Sequence, residues 1–297
     1  MVVRIGLLAS RIRVDEKMLI ESARDMPGVE LVRIDDSTMS FDIHEAPPEV
    51  DVVLERSVSH SRAIYALKFY ERHGIPTVNT LPVAEVCGDK VQTSLELARA
   101  GVPTPRTKVA FTPEAALAAC EELGYPCVMK PTVGSWARLV SRIDSREAAE
   151  SIIEHKEVLG SYLHHIYYIQ EHVPKPGRDI RSFVVGDECI AAIYRTNDKH
   201  WITNTSRGAV ASNCPVTDEI AEISLAAAKA VGGGVLAIDI MEAPEGLVVH
   251  EVNYTMEFRN SVAPTGVDIP RKILEHTVQV ANAVPARPQQ VIAEGRA

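Results

Sequence analysis

The chain has 297 residues, 46% of them hydrophobic and 24% charged, with 17 Gly and 18 Pro. That size and balance suit a globular protein of two domains whose core needs no disulfide or metal staple. Acidic residues outnumber basic ones 40 to 31, a formal charge of −9, which argues against coating nucleic acid or an anionic membrane but leaves room for small anionic ligands held by a few convergent cations.

The opening reads as strand, helix, strand. VRIGLLAS is a short apolar run, residues 15–26 show helical spacing through Met18, Leu19 and Ala23, and Gly28 precedes a second strand over 29–34. The run from Val2 is broken by Arg4 and followed by Arg11 and Arg13, so it is too short and too charged for a signal peptide or membrane span, and a cytoplasmic protein is expected. VDVVLER is a third strand ending on Glu55 and Arg56, a helix over 60–73 stops at Gly74, and IPTVN is a fourth strand. Alternating β and α elements predict a small open parallel sheet, in which ligands bind beyond the carboxyl ends of strands. That places Arg56 and Asn79 at the relevant edge, although a solvated loop residue is the simpler reading of each.

From Asp89 the pattern changes. Asp89 caps a helix running to Ala100, with Gly101 as its stop and Pro103 and Pro105 beyond. A strand over 107–110, a helix over 113–123 and a Gly124-Tyr125-Pro126 break lead to CVMK, a strand ending in Lys130. PTVGSWAR is a loop, LVSRI a returning strand, and Asp144 with Glu147 forms a capping-box pattern for a helix over 145–155. HIYYIQEHV, DIRSFVVG, ECIAAIYR, VLAIDIM and LVVHEVN are strands, a last helix covers 270–280, and the tail after Val284 is expected to fray. The five cysteines, Cys87, Cys120, Cys127, Cys189 and Cys214, are odd in number and lack CxxC spacing, so neither a zinc knuckle nor a complete disulfide framework is indicated.

Three features bear on chemistry. In VLAIDIMEAPEGLVVHEVN a three-residue Pro244-Glu245-Gly246 loop sets Asp239 opposite Glu251, with Asn253 on the same face as Glu251. Facing carboxylates repel unless a positive charge lies between them. A hard cation such as Mg²⁺ meets that need, and a solvent-facing acidic ladder is the alternative. The loop over 131–138, flanked by Lys130 and Arg138, has backbone N–H groups that could close over polyphosphate, but it is neither a Walker loop nor a dinucleotide fingerprint and a plain hairpin turn explains it. Arg178, Arg181, Arg195, Lys199 and Arg207 crowd one strand-rich region of an acidic chain, with Asp179 in phase with Arg181; each alone reads as a surface cation, and the five together suggest an anion-binding cleft.

Taken in order, GDK with Lys90, VMK with Lys130, GSWAR, YIQEHVPKPGRDIR, NTSRGA, and Asp239 with EVN resemble the ATP-grasp ligases of the RimK-type branch, over residues 3–280. VVLERSVSHSR and EVNYTMEFRNSVAPTGVDIP further resemble the LysX group, which joins α-aminoadipate to the C-terminal glutamate of the small acidic carrier LysW in lysine biosynthesis. The resemblance implies an α/β chain with α+β character in its C-terminal half. An N-terminal parallel-sheet domain over 1–88 precedes an ATP-grasp domain over 89–283, itself split into a central nucleotide part over 89–172 and a metal and substrate part over 173–283.

It implies ATP and Mg²⁺ as cofactors, no nucleic-acid or membrane partner, and a homodimer or homotetramer. Lys90, Lys130, Gln170, Glu171, His172, Val173, Asp179 and Arg181 would hold the nucleotide, under a loop of Gly134, Ser135, Trp136, Ala137 and Arg138. Asp239, Glu251 and Asn253 would hold Mg²⁺. Arg195, Asn204 and Arg207 would face the reacting acyl phosphate, and Arg56, Asn260 and Ser261, with Arg259 as a weaker candidate, the aminoadipate carboxylates. In this group Asn-Ser or Asn-Thr after the metal segment marks aminoadipate, whereas Gly-Phe marks the glutamate-using sister ArgX, and some members accept both. Ala137 departs from the usual GSWGR loop, and Ala does not reach positive φ cheaply. The competing readings are an ArgX-like or other RimK-type glutamate ligase, and a non-catalytic nucleotide-binding protein that kept the shell.

Overall fold

A computed structural model describes residues 2–134 and 138–283. The expected frayed tail and the loop residues Ser135, Trp136 and Ala137 lie outside the described residues. The first four strands, β1 (Val3–Leu8), β2 (Val29–Ile34), β3 (Val52–Glu55) and β4 (Thr77–Val78), form a parallel sheet in the order β2-β1-β3-β4. Between them run α1 (Val14–Arg24) and α2 (His60–Arg72). On α2 the small and apolar residues Ala63, Ala66, Leu67 and Tyr70 recur at helical spacing and are buried. A helix absent from the sequence reading, α3 (Leu81–Gly88), then leads into α4 (Lys90–Arg99), whose first turn is capped by Asp89 Oδ1 accepting from Val91 N at 2.7 Å and Gln92 N at 3.3 Å.

The middle sheet is antiparallel, β5-β8-β6-β7, built from β5 (Thr107–Ala110), β6 (Cys127–Lys130), β7 (Ser141–Ile143) and β8 (Tyr167–Glu171). Helices α5 (Pro113–Leu123) and α6 (Arg146–Leu159) close its own small core, which holds Cys120, Cys127, Met129, Ile143, Ile153 and Ile169. The cap of α6 is Ser145, whose hydroxyl accepts from Ala148 N, rather than the expected Asp144, and the helix runs a turn longer than expected.

The third sheet, β11-β10-β9-β12-β13, is also antiparallel: β9 (Arg178–Val185), β10 (Glu188–Thr196), β11 (Val210–Asn213), β12 (Val235–Ala243) and β13 (Gly246–Asn253). One face packs on α7 (Asp218–Val231), which the sequence reading passed over although Thr217 caps it and Ile220, Ile223, Ala227 and Val231 are spaced for burial. Beyond the short α8 (Val262–Thr265), the long α9 (Ile269–Ala283) returns beside α1. The other face shares one core with the N-terminal sheet: Phe183, Ile193 and Ala237 meet Ile5, Val52, Leu54 and Val78, with Ile273 and Leu274 of α9. The five cysteines are free, and no helix of the described residues is long and apolar enough to cross a membrane.

Asn79 is not a solvated loop residue. Its buried Nδ2 donates to Val235 O at 2.8 Å and Tyr254 O at 2.6 Å, while Oδ1 accepts from Val235 N at 2.7 Å, so one amide starts β12 and ends β13. A Cβ on Gly234 would stand 2.0 Å from Asn79 Oδ1, which fixes glycine there. Asn79→Ala leaves three buried backbone groups unpaired and should lower stability by about 2–5 kcal/mol, read from the urea midpoint.

Candidate active site

Strand alternation puts Asp179, Arg181, Arg195 and Asp239 on the face of the third sheet that also carries Phe183, Ile193 and Ala237. Cross-strand register pairs Arg195 with Asp179 and Arg181 with Asp239. Both pairs are bidentate: Arg195 Nε and Nη2 reach Asp179 at 2.7 and 2.8 Å, and Arg181 Nε and Nη2 reach Asp239 at 2.7 and 2.8 Å. Arg195 Nη2 also lies 3.2 Å from Asp239, which closes a quartet of zero net charge in which Asp179, Arg195 and Asp239 are buried and Arg181 is partly open. The expected neighbour of Arg181, Asp179, belongs instead to Arg195 and to Thr203 Oγ1 at 2.5 Å. Burial alone pushes the Asp239 carboxyl up, but Arg181 and Arg195 hold it well below the usual carboxylate range.

Two cavities adjoin this quartet and share Lys90, Asn204 and Glu251 as common wall. The first is apolar along Val128, Val173, Ile202 and Met241 and polar at Lys130, Gln170 and Asp179. Lys130 Nζ donates to Gln170 Oε1 at 2.7 Å, and burial brings the Lys130 ammonium down to about 8. Glu171, His172 and Val173 line the same cavity at the seam between the middle and third sheets. The second cavity is bordered by Arg181, Arg195, Gly134 and Asn253. Lys90 Nζ bridges the two, donating to Gly134 O at 2.8 Å and lying 3.5 Å from Glu251. A third, small cavity, walled by Asn260, Ser261 and Arg259, shares Arg181, Arg195, Thr205 and Glu257 with the second.

The hairpin reaches the expected pairing by an unexpected route. Its loop has two residues, Pro244 and Glu245, with Ala243 opposite Gly246, and a bulge at His250 restores Asp239 opposite Glu251. Asp239 is fully buried, so a solvent-facing acidic ladder is ruled out. The protein's own cations already offset the carboxylates: Arg181 and Arg195 at Asp239, Lys90 at Glu251. Donor chemistry still suits a hard cation. Asp239 Oδ1 accepts one hydrogen bond and keeps a lone pair, Glu251 is partly open, and Asn253, whose carboxamide oxygen is the atom that could ligate, borders the second cavity.

Some sequence-predicted residues stand elsewhere. Arg56 does not wall any of the three cavities; it is buried, with Nε 3.0 Å from Glu16 and Nη1 donating to Met256 O at 2.7 Å. Arg207 is exposed on the turn Thr205–Arg207, outside the cavity walls, where its carbonyl accepts from Asn197. The sequence reading missed Lys175 and His250, both on the first cavity. Lys175 Nζ donates to Thr203 Oγ1 at 2.6 Å beside Asp179. Both ring nitrogens of His250 are buried without a partner, and burial, then Lys130, holds the ring neutral. Simple alternation gives His250 no such prominence, because the bulge that sets its place arises from the loop length.

Residues 87–277 match the RimK-like ATP-grasp domain and residues 5–86 the LysX preATP-grasp domain. The chain belongs to the RimK-like ATP-grasp family. Like its family it is an ATP-dependent carboxylate–amine ligase with the ATP-grasp fold. It is 36% identical over 270 residues to the alpha-aminoadipate–LysW ligase LysX of Saccharolobus solfataricus, covering 90% of this chain and 98% of that protein. It is 34% identical to the glutamate–LysW ligase ArgX of Sulfurisphaera tokodaii, covering 92% and 97%. The RimK domain ATP-grasp protein of Sphaerobacter thermophilus superposes with a TM-score of 0.79 at 26% identity, over 93% of this chain and 100% of that one.

Beside the second cavity, Glu55 accepts from Ser57 N at 2.5 Å and Thr255 Oγ1 at 2.7 Å, and burial pushes its carboxyl from 4.5 up to about 7. Between those values the folded chain keeps a proton that the unfolded chain has released, so stability falls as pH rises through that window. Glu55→Gln should remove on the order of 1–3 kcal/mol of this decline, seen in urea midpoints compared at pH 5 and pH 8.

Proposed function

We propose that this ligase joins the α-amino group of α-aminoadipate to the side-chain carboxylate of a C-terminal glutamate on a LysW-type carrier, using ATP and Mg²⁺. The reading is carried by the meeting of a largely apolar slot and a cavity lined by Arg181, Arg195 and Lys90, which join at Lys90, Asn204 and Glu251, with Asn260 and Ser261 on the adjoining small cavity. It takes residues 1–88 as the domain before the ATP-grasp domain over 89–283.

A carboxylate and an amine do not condense in water, because the oxygen that must leave is a poor leaving group. In this reading a carrier carboxylate oxygen attacks the γ-phosphorus as the bond to ADP breaks, and the amine then attacks the acyl carbon as phosphate departs. The task of the chain is to position the reactants and stabilise charge. Lys130, Gln170 and the strand-to-linker residues Glu171, His172 and Val173 would seat the base, with His250 offering one donor and one acceptor. Lys90 would hold phosphate oxygens, under the loop from Gly134 to Arg138. Arg195, locked by Asp179, and Asn204 would face the acyl phosphate with a fixed charge and an amide, which costs no reorganisation during reaction. Asp239, Glu251 and Asn253 would hold Mg²⁺, which offsets charge on the phosphate oxygens when bound. Arg181, tied to Asp239, would keep that carboxylate ionised and oriented.

The relatives named LysX and ArgX stand at 36% and 34% identity, so overall similarity leaves glutamate as the second reading, and Asn260-Ser261 favours aminoadipate. Incubating the purified protein with ATP, carrier and each amino acid should give a carrier mass increase much faster with aminoadipate; equal or reversed rates would reject the assignment. Asn253 tests the metal site more cleanly than the ion-paired Asp239. Since even residues that support metal ligands cost about 10–100-fold when mutated, Asn253→Ala should slow ligation at least tenfold and raise the Mg²⁺ requirement, with thermal unfolding close to the parent's.

A further inference from the structure

Residues 254–259 run from the end of β13 to Asn260, and every one of them is tied to the N-terminal part of the chain. Asn79 Nδ2 donates to Tyr254 O at 2.6 Å, Thr255 Oγ1 donates to Glu55 at 2.7 Å, and Arg56 Nη1 donates to Met256 O at 2.7 Å. Arg13 Nη1 reaches Glu257 at 3.2 Å, and Asp15 Oδ1 accepts from Phe258 N at 2.6 Å and Arg259 N at 2.9 Å. Arg56 also lies over the Phe258 ring, 5.6 Å from its centre. Asp15, Glu55, Arg56 and Asn79 are all buried. They stand at or beyond the carboxyl ends of β1, β3 and β4, the edge at which an open parallel sheet ordinarily receives a small ligand. Here that edge receives a peptide strap.

The strap also walls the site. Tyr254, Thr255 and Glu257 border the second cavity, and Glu257 and Arg259 border the small one beside Asn260 and Ser261. None of its residues borders the first cavity, the one with Lys130 and Gln170. We infer that the N-terminal sheet is the template for the amino-acid side of the active site, with Asp15, Glu55 and Arg56 as positioning residues that set the strap and, through it, the pocket beside Asn260 and Ser261. The inference rests on the proposed placement of the amino acid in that pocket, but not on which amino acid is used. A carboxylate gripping two successive backbone N–H groups fixes peptide orientation just before Asn260, and misplacement of about 1 Å at a reacting group costs roughly a hundredfold in rate.

The test compares Asp15→Ala, Asp15→Asn and Thr255→Val in steady-state ligation with whichever amino acid the parent turns over faster, alongside calorimetric ADP binding and thermal unfolding. Asp15→Ala should raise KM for the amino acid about tenfold or more, with KM for ATP and ADP affinity within about twofold. Asp15→Asn keeps an acceptor oxygen for both backbone groups and should recover most of that loss. Thr255→Val, nearly isosteric, should show a smaller rise of the same kind. An unchanged amino-acid KM in folded Asp15→Ala, no recovery in Asp15→Asn, or a parallel rise for ATP would overturn the inference. Should Asp15→Ala not fold, an unchanged amino-acid KM in Thr255→Val overturns it equally. A preference for glutamate in the parent would reject the aminoadipate assignment and leave this test intact.

Discussion

Two arginines and two aspartates, paired across neighbouring strands with all but the partly open Arg181 buried, organise the C-terminal half of this ligase. Asp179, Arg181, Arg195 and Asp239 continue the same sheet face that, a few residues along each strand, is packed with Phe183, Ile193 and Ala237. Removing one partner from such a cluster leaves an uncompensated buried charge and costs about 3–5 kcal/mol, so its members stand or fall together. The quartet is neutral in sum, yet its two arginines also wall the second and third cavities. Fixed cations are thereby held on the walls of these cavities, within a chain whose formal charge is −9. The acidic total and the basic cleft do not conflict, because the field at short range is set by the nearest groups and salt screens the rest.

Local signals were legible where a single segment carries the whole cause. Asp89 caps α4 and Gly101 ends it, and the strands over 29–34, 107–110 and 127–130 stand within the bounds that their apolar runs suggested. Arg56 was misread for the opposite reason: its partners Glu16 and Met256 lie 40 and 200 residues away, and no local pattern reports them. Asn79 was undervalued likewise, since its amide substitutes for backbone pairing at Val235 and Tyr254. The helix α7 carries the same kind of local signal, a Thr217 cap followed by apolar residues at helical spacing.

The hairpin is the most instructive case. Asp239 faces Glu251 as alternation from a three-residue loop suggested, but a two-residue loop and a bulge combine to give that register. Two irregularities that cancel leave the carboxylates in place, and the residue absorbing the difference, His250, is turned onto the first cavity with unsatisfied nitrogens. Sequence pattern therefore located the pair and missed its neighbour, because a bulge is decided by hydrogen-bond closure of the whole hairpin.

The core that joins the parallel sheet to the five-stranded sheet carries a consequence for how such a chain can change over time. Because Ile5, Val52 and Leu54 bury themselves against Phe183 and Ala237, with α9 returning to seal the same space, the two halves are not interchangeable cassettes. A recombination that brought in a foreign first half would have to supply a matching apolar surface as well as new ligand-reading residues. Drift in substrate preference is then channelled into small edits along the shared boundary, and wholesale exchange of modules is disfavoured.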